Sequence, residues 1–114
     1  MTFDDVVALA SEWPGIETGT SYGTPALRVR RKFMARLRED GDTLVLTPVD
    51  DIEQEALMAM QPDVFYTTPH YQGYPSVLIR ISRVDPEDLR ELLEQSWRRL
   101  AGKRLLQAYE NRKA

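Results

Sequence analysis

The 114-residue chain has no cysteine and a single histidine, His70. The first absence removes disulfides, thiolate metal sites and a cysteine nucleophile. The second leaves His70 with no other imidazole to share a metal, and no carboxylates beside it have ligand spacing. Neither a nucleophile elbow nor a Gly-rich phosphate loop is present. A Ser-His-Asp arrangement would have to join His70 to a serine such as Ser21 or Ser76. No apolar run approaches the roughly 20 residues that span a bilayer. The opening residues Met1-Thr2-Phe3-Asp4-Asp5 are acidic and lack the apolar segment of a secretory signal. These absences predict a cytoplasmic protein that is not an enzyme and uses no cofactor, metal or membrane. Repeats, linkers and low-complexity tracts are also missing.

What is present reads as one globular domain over residues 1–114: 42% hydrophobic and 29% charged residues are ordinary for a domain with one core. The net charge of −3 is unevenly spread. Residues 25–40 hold six cations against two carboxylates and residues 97–114 hold six against one, so the rest of the chain is strongly acidic. Overall acidity opposes indiscriminate DNA binding, which scales with phosphates neutralised, but leaves room for a local basic face.

Periodicity divides the chain. Phe3, Val6, Val7, Ala10 and Trp13 make a helical apolar stripe, opened by a Thr2–Asp5 capping pair and ended by Pro14-Gly15. Glu17–Thr24, rich in Gly, Thr and Ser, reads as a loop. Three strands follow. Leu27 and Val29, then Phe33, Ala35 and Leu37, then Leu44 and Leu46 supply one apolar face, with turns at Arg31-Lys32 and at Glu39–Asp42. A second helix is expected from about Asp51 to Met60, with Ile52, Ala56, Ala59 and Met60 toward the sheet. Val64–Thr67 and Val77–Ile81 read as strands. A third helix starts after Asp85-Pro86, buries Leu89, Leu92, Leu93, Ser96, Trp97 and Leu100, and breaks at Gly102 before a short basic helix over 103–114. The order α-β-β-β-α-β-β-α predicts an α+β fold: a two-layer sandwich with a mostly antiparallel five-stranded sheet and helices on one face. The arginines then face solvent or a partner.

Two groups are candidate sites. Arg28, Arg30, Arg36, Arg38 and Arg80 alternate with apolar positions, as phosphate-gripping cations would, or as the polar side of any half-buried sheet does. Tyr22, Tyr66, His70, Tyr71 and Tyr74 can gather near the loop Thr67–Pro75. They offer either stacking rings for bases or a ligand, or a small capped core. The basic C-terminal helix can touch nucleic acid, or pack Leu105, Leu106 and Tyr109 on the domain or on a second copy.

Several segments resemble the MmcQ/YjbR family. They are Trp13-Pro14-Gly15-Ile16-Glu17, Ser21-Tyr22-Gly23-Thr24-Pro25-Ala26-Leu27-Arg28-Val29, Phe33-Met34-Ala35-Arg36-Leu37, the Thr67–Pro75 loop and Gln95-Ser96-Trp97-Arg98. The resemblance covers almost the whole chain. It implies a compact α+β fold related to secretion-chaperone-like and double-wing domains of bacterial proteins. It brings a DNA-binding label and no catalytic residues. Tyr74-Pro75 stands where a His-Trp pair is common in the family. On residues and resemblance together, the expected function is a DNA-binding module using the basic sheet face. The alternative is a non-catalytic protein-interaction or small-ligand-binding domain, possible as a homodimer.

Overall fold

The computed structural model describes residues 1–113. Eight residues after a capping box at Thr2, in which Thr2 and Asp5 bond each other's backbone N–H, the chain has completed α1 (Phe3–Ala10) and buried Val6 and Ala10. It then runs through β1 (Ile16–Ser21), β2 (Thr24–Val29), β3 (Lys32–Leu37), β4 (Thr43–Leu46), α2 (Asp51–Met60), β5 (Phe65–Tyr66), a 3-10 turn (Pro69–Tyr71), β6 (Val77–Arg80) and α3 (Pro86–Lys113). The sheet has six strands in the order β1-β2-β3-β4-β6-β5, every neighbouring pair antiparallel. The α+β class and the antiparallel sheet agree with the sequence; the count of five strands is corrected. Ile16–Ser21, which takes up most of the loop expected over Glu17–Thr24, is an edge strand. Its middle residues are exposed on both faces, so no alternation of apolar and polar side chains marks it.

Two hairpins close with two-residue turns of left-handed backbone: Tyr22-Gly23 (φ 54° and 79°) between β1 and β2, and Arg30-Arg31 (φ 45° and 75°) between β2 and β3. Positive φ at both central residues is the type I′ geometry, whose twist matches that of the strands. The second turn therefore lies one residue before the expected Arg31-Lys32. It is held by Gly15 O, which accepts from Arg30 N, and by the Glu17 carboxylate, which accepts from Arg31 N.

The core lies between the sheet and the two helices α1 and α3. Leu27, Val29, Met34, Ala35, Leu44, Leu46, Val77 and Ile79 meet Val6, Ala10, Leu89, Leu93 and Trp97, all buried. α3 breaks at Gly102 (φ 76°, ψ 171°), so residues 103–113 fold back rather than continuing the axis. Leu105 and Tyr109 thereby enter the chain's own core. Tyr109 meets Trp97 edge-on at 5.1 Å, Trp97 stacks on Trp13 at 6.2 Å, and Trp97 Nε1 donates to Pro14 O at 2.8 Å. Gly15 is required here twice over. Its φ is 84°, and a Cβ would sit 2.7 Å from Leu105 Cδ1.

α2 forms where expected, with Asp50 as its cap, but turns the other way. Ile52 and Met60 are 82% and 76% exposed, and Ala56 and Ala59 are exposed as well. The helix is oriented by polar contacts instead: Gln54 Nε2 donates to Ser76 O at 2.6 Å, and Glu53 pairs with Arg99 at 2.9 Å.

The two tryptophans differ in one respect that stability measurements resolve. Trp97 Nε1 has its carbonyl partner, whereas buried Trp13 Nε1 has none among the described residues. Replacing Trp97 by Phe leaves Pro14 O unpaired. It is expected to lower the unfolding free energy by about 1–2 kcal/mol more than Trp13→Phe does, measured by urea denaturation of the two variants.

Candidate functional site

The sheet face away from α1 and α3 is organised by one irregularity. Leu27 lies opposite Ala35 but Arg28 opposite Phe33, so Met34 has no partner on β2. This β-bulge puts two successive residues, Met34 and Ala35, into the core and delivers Phe33 to the other face beside Arg28. Phe33 was expected under the helices with Ala35 and Leu37; the bulge reverses it. Registered partners share a face, so Arg28, Phe33, Arg36, Val45 and Leu78 all stand on the helix-free side.

That side is not open to solvent, as the alternation of arginines suggested. The loop after β5 folds back over it. Val45, Leu78, Thr43 and Ser76 are buried, and Arg36 is only 9% exposed. Tyr71, on the 3-10 turn, reaches Arg36: Nη2 donates to Tyr71 Oη at 3.3 Å. Arg36 Nη1 donates to Thr24 Oγ1 at 3.1 Å and to the Glu39 carboxylate at 3.3 Å. Burial opposes the charge of Arg36. The bonds and attraction to Tyr71 and Glu39 outweigh it and hold the guanidinium above its ordinary pKa, so it is a fixed cation.

Between loop, hairpins and sheet lies a cavity of about 710 Å³, lined among others by Arg28, Phe33, Arg36, Tyr22, Tyr71 and Ser76. The β1–β2 and β3–β4 turns fall at one end of the sheet because the strands alternate in direction, which brings Tyr22 and Glu39 to the same rim. His70 and Tyr74 come from the covering loop and complete the wall. His70 is exposed and packs edge-on against Tyr71 at 5.0 Å. Among the described residues its recorded contact is with Tyr71 and not with Ser21 or Ser76, and no group of three or more His, Cys, Asp or Glu side chains is placed to hold a metal. No described helix is long and apolar enough to cross a membrane.

The sequence candidates thus separate into three places. Tyr22, His70, Tyr71, Tyr74, Arg28 and Arg36 meet at the cavity. Arg38 lies over the Tyr71 ring at 5.6 Å and does not line the cavity. Tyr66 and Arg80 form their own stack at 4.1 Å, beyond the cavity. Arg30 is in the β2–β3 turn at the opposite end, beside Gly15, and is not on the sheet face at all. The five arginines therefore do not make one basic stripe. Sequence reasoning missed Phe33, Val45, Glu39 and Thr47 as lining residues. Only the bulge, a long-range feature, exposes Phe33; Ser21 and Ser76 were weighed solely as nucleophiles.

The Tyr66 stack is tied to the β3–β4 turn. Thr43 Oγ1 donates to Asp40 Oδ2 at 2.7 Å, which uses its one proton, so Tyr66 Oη is the donor in its 2.5 Å contact with Thr43 Oγ1. Asp40 also accepts from the backbone N–H groups of Asp42 and Thr43. Burial raises its pKa, but these hydrogen bonds exceed that effect and leave it below the ordinary aspartate value.

The molecule is a two-layer α+β domain with an aromatic and cationic cavity on its helix-free face. The chain belongs to the YjbR family, whose family model matches residues 11–99. It is 41% identical over 69 residues to the uncharacterized proteins Rv2570 and MT2646 of Mycobacterium tuberculosis and Mb2600 of Mycobacterium bovis, a match covering 60% of this chain. The chain spans about half the length of these relatives, 54%. Its fold is similar to the crystal structure of Deinococcus radiodurans protein DR2400, described as a DUF419 domain. The TM-score is 0.71 and the identity 24%, over 84% of this chain and 75% of that one, which speaks to the fold alone.

Two stability effects follow. Tyr22 holds an L side chain in left-handed backbone, at a cost of about 1–2 kcal/mol. Its exposed contact with Arg36, 5.3 Å from ring centroid to guanidinium, returns about 0.5–1 kcal/mol. Tyr22→Asn is therefore expected to stabilise the fold by about 0.5–1 kcal/mol in thermal melts. Asp40, with its pKa depressed on folding, adds stability that is present above the unfolded aspartate value of about 3.9 and is lost as pH falls through the folded value. Asp40→Asn is expected to cost about 1 kcal/mol at pH 7, with the gap to the parent narrowing below about pH 4 in denaturation series across pH.

Proposed function

We propose that this protein is a non-catalytic small-molecule-binding domain whose site is the cavity between the helix-free sheet face and the Thr67–Pro75 loop. The observation that carries the reading is Tyr22. A large ring is 88% exposed at a turn position that disfavours it, on the rim of the cavity, and it contributes nothing to the core. Backbone strain maintained at a cavity mouth points toward function. The volume of about 710 Å³ lies within the roughly 300–1,000 Å³ typical of small-molecule sites. Exposed Tyr74 and His70 offer further ring surface.

Duplex DNA is the less supported reading. A duplex needs several cations along one open face. Here Arg36 is under a loop, Arg30 is at the other end of the sheet and Arg80 is engaged with Tyr66.

A fragment screen by ligand-observed NMR, with hits placed by amide shifts, tests the proposal. Hits are expected at the cavity, and Ser21→Trp, which fills the mouth from an edge strand that accommodates an indole, should abolish them while leaving the melting temperature within a few degrees. A duplex-DNA titration at about 150 mM salt is expected to show no binding. Salt-sensitive duplex binding that Arg28→Glu and Arg38→Glu remove, with no fragment bound, would replace the proposal.

A further inference from the structure

The cavity gathers two guanidiniums, Arg28 and Arg36, in a chain whose net charge is −3. Arg28 is half-buried and donates only to a backbone oxygen, Thr20 O at 2.9 Å. Among the described residues no carboxylate pairs with it, and the one acid lining the cavity is Glu39. Glu39 meets Arg36 at 3.3 Å, yet its own side chain is 66% exposed. An exposed carboxylate bonded to a buried cation is a weakly held partner, because solvent screens it while the guanidinium has little other access to water. A second polar group awaits a partner. Ser76 is 4% exposed, lines the cavity, and its Oγ has no hydrogen-bond partner among the described residues. A buried hydroxyl without a partner costs free energy that a bound acceptor restores. Around these polar groups stand the rings of Tyr22 and Tyr74, the first poised 5.3 Å from the Arg36 guanidinium.

On the reading of this cavity as a ligand site, we infer that its ligand is an oxyanion carried on a flat ring, a carboxylate or a phosphate. The anion displaces the Glu39 carboxylate from Arg36 and is shared with Arg28 and the Ser76 hydroxyl. The ring lies against Tyr22 at the mouth. Arginine suits both anions, since its planar fork bonds carboxylate and phosphate oxygens in pairs. The anion is recognised inside, where water is scarce, and the ring outside, where a strained tyrosine is kept available for it. Glu39 is then an internal competitor: it occupies the cation when the site is empty and yields to a stronger acceptor.

Amide-detected NMR titrations with benzoate, phenyl phosphate, adenosine 5′-monophosphate, adenosine, benzyl alcohol and inorganic phosphate test this. The ring-bearing anions are expected to shift the amides of Tyr22, Arg36 and Ser76 and to bind at least tenfold more tightly than adenosine, benzyl alcohol or inorganic phosphate. Benzoate against phenyl phosphate separates the two anion classes. Glu39→Gln should tighten binding of the anions several-fold, through removal of the competitor, and leave the neutral rings unchanged. Tyr22→Asn should raise the melting temperature and weaken the anions at least fivefold. If neutral rings bind as well as their anionic counterparts, or if Glu39→Gln weakens the anions, the ligand class is wrong although the cavity is a site. If no compound moves a cavity amide while the protein is folded, the reading of the cavity as a ligand site fails with it.

Discussion

One residue too many in β3 decides what this protein presents to its surroundings. A regular pairing of β2 and β3 would place Phe33, Ala35 and Leu37 together under the helices and confine the outer face to arginines. Met34, unpaired, shifts the side-chain alternation by one. The core gains Met34 next to Ala35, and the outer face gains an aromatic floor beside Arg28. Everything else at the cavity sits on that floor. Without Phe33 and Val45 beneath it, the Thr67–Pro75 loop would have no apolar ground to cover.

The covering loop is held by a few directional contacts more than by its own apolar content. Tyr71 lies between two guanidiniums, bonded to Arg36 through its hydroxyl and facing Arg38 with its ring. Pro75 O accepts from the Val49 backbone N–H and from the Thr47 hydroxyl, which fixes the loop's exit. Three of the cations that read in the sequence as a surface for a partner, Arg36, Arg38 and Arg80, are thus already engaged by the protein's own tyrosines. This division explains how a strand with Arg36 at its centre remains stable: the charge is kept, but it is surrounded by acceptors and a ring.

Much of the architecture was legible. α1, α2 and α3 start at caps written in the sequence, Thr2, Asp50 and Asp85-Pro86, and the break at Gly102 falls where left-handed backbone is needed. The strand edge at Ile16–Ser21 was not legible. Its side chains are solvated on both faces, so burial leaves no period-two mark on Glu17, Thr18, Gly19 and Thr20. The facing of α2 was misread because Ile52 and Met60 form the more apolar stripe, while Gln54 and Glu53 supply the contacts that orient the helix. Of the site, the sequence supplied the rings of Tyr22, His70, Tyr71 and Tyr74 and two of the arginines. It did not show that Arg30 turns away or that Tyr66 and Arg80 pair apart. Those outcomes depend on a bulge and on a loop folding back across the sheet, both set by contacts between distant residues.

The placement of the two indoles has a practical corollary. Trp13 and Trp97 lie stacked on the helix side, screened from the cavity by the full thickness of the sheet. Their emission therefore tracks the melting of the whole core and is nearly blind to events at the opposite surface. The cavity has its own chromophores, the phenols of Tyr22, Tyr71 and Tyr74. One molecule thus carries two sets of optical reporters on opposite sides of a β-sheet, indoles in the core and phenols at the cavity.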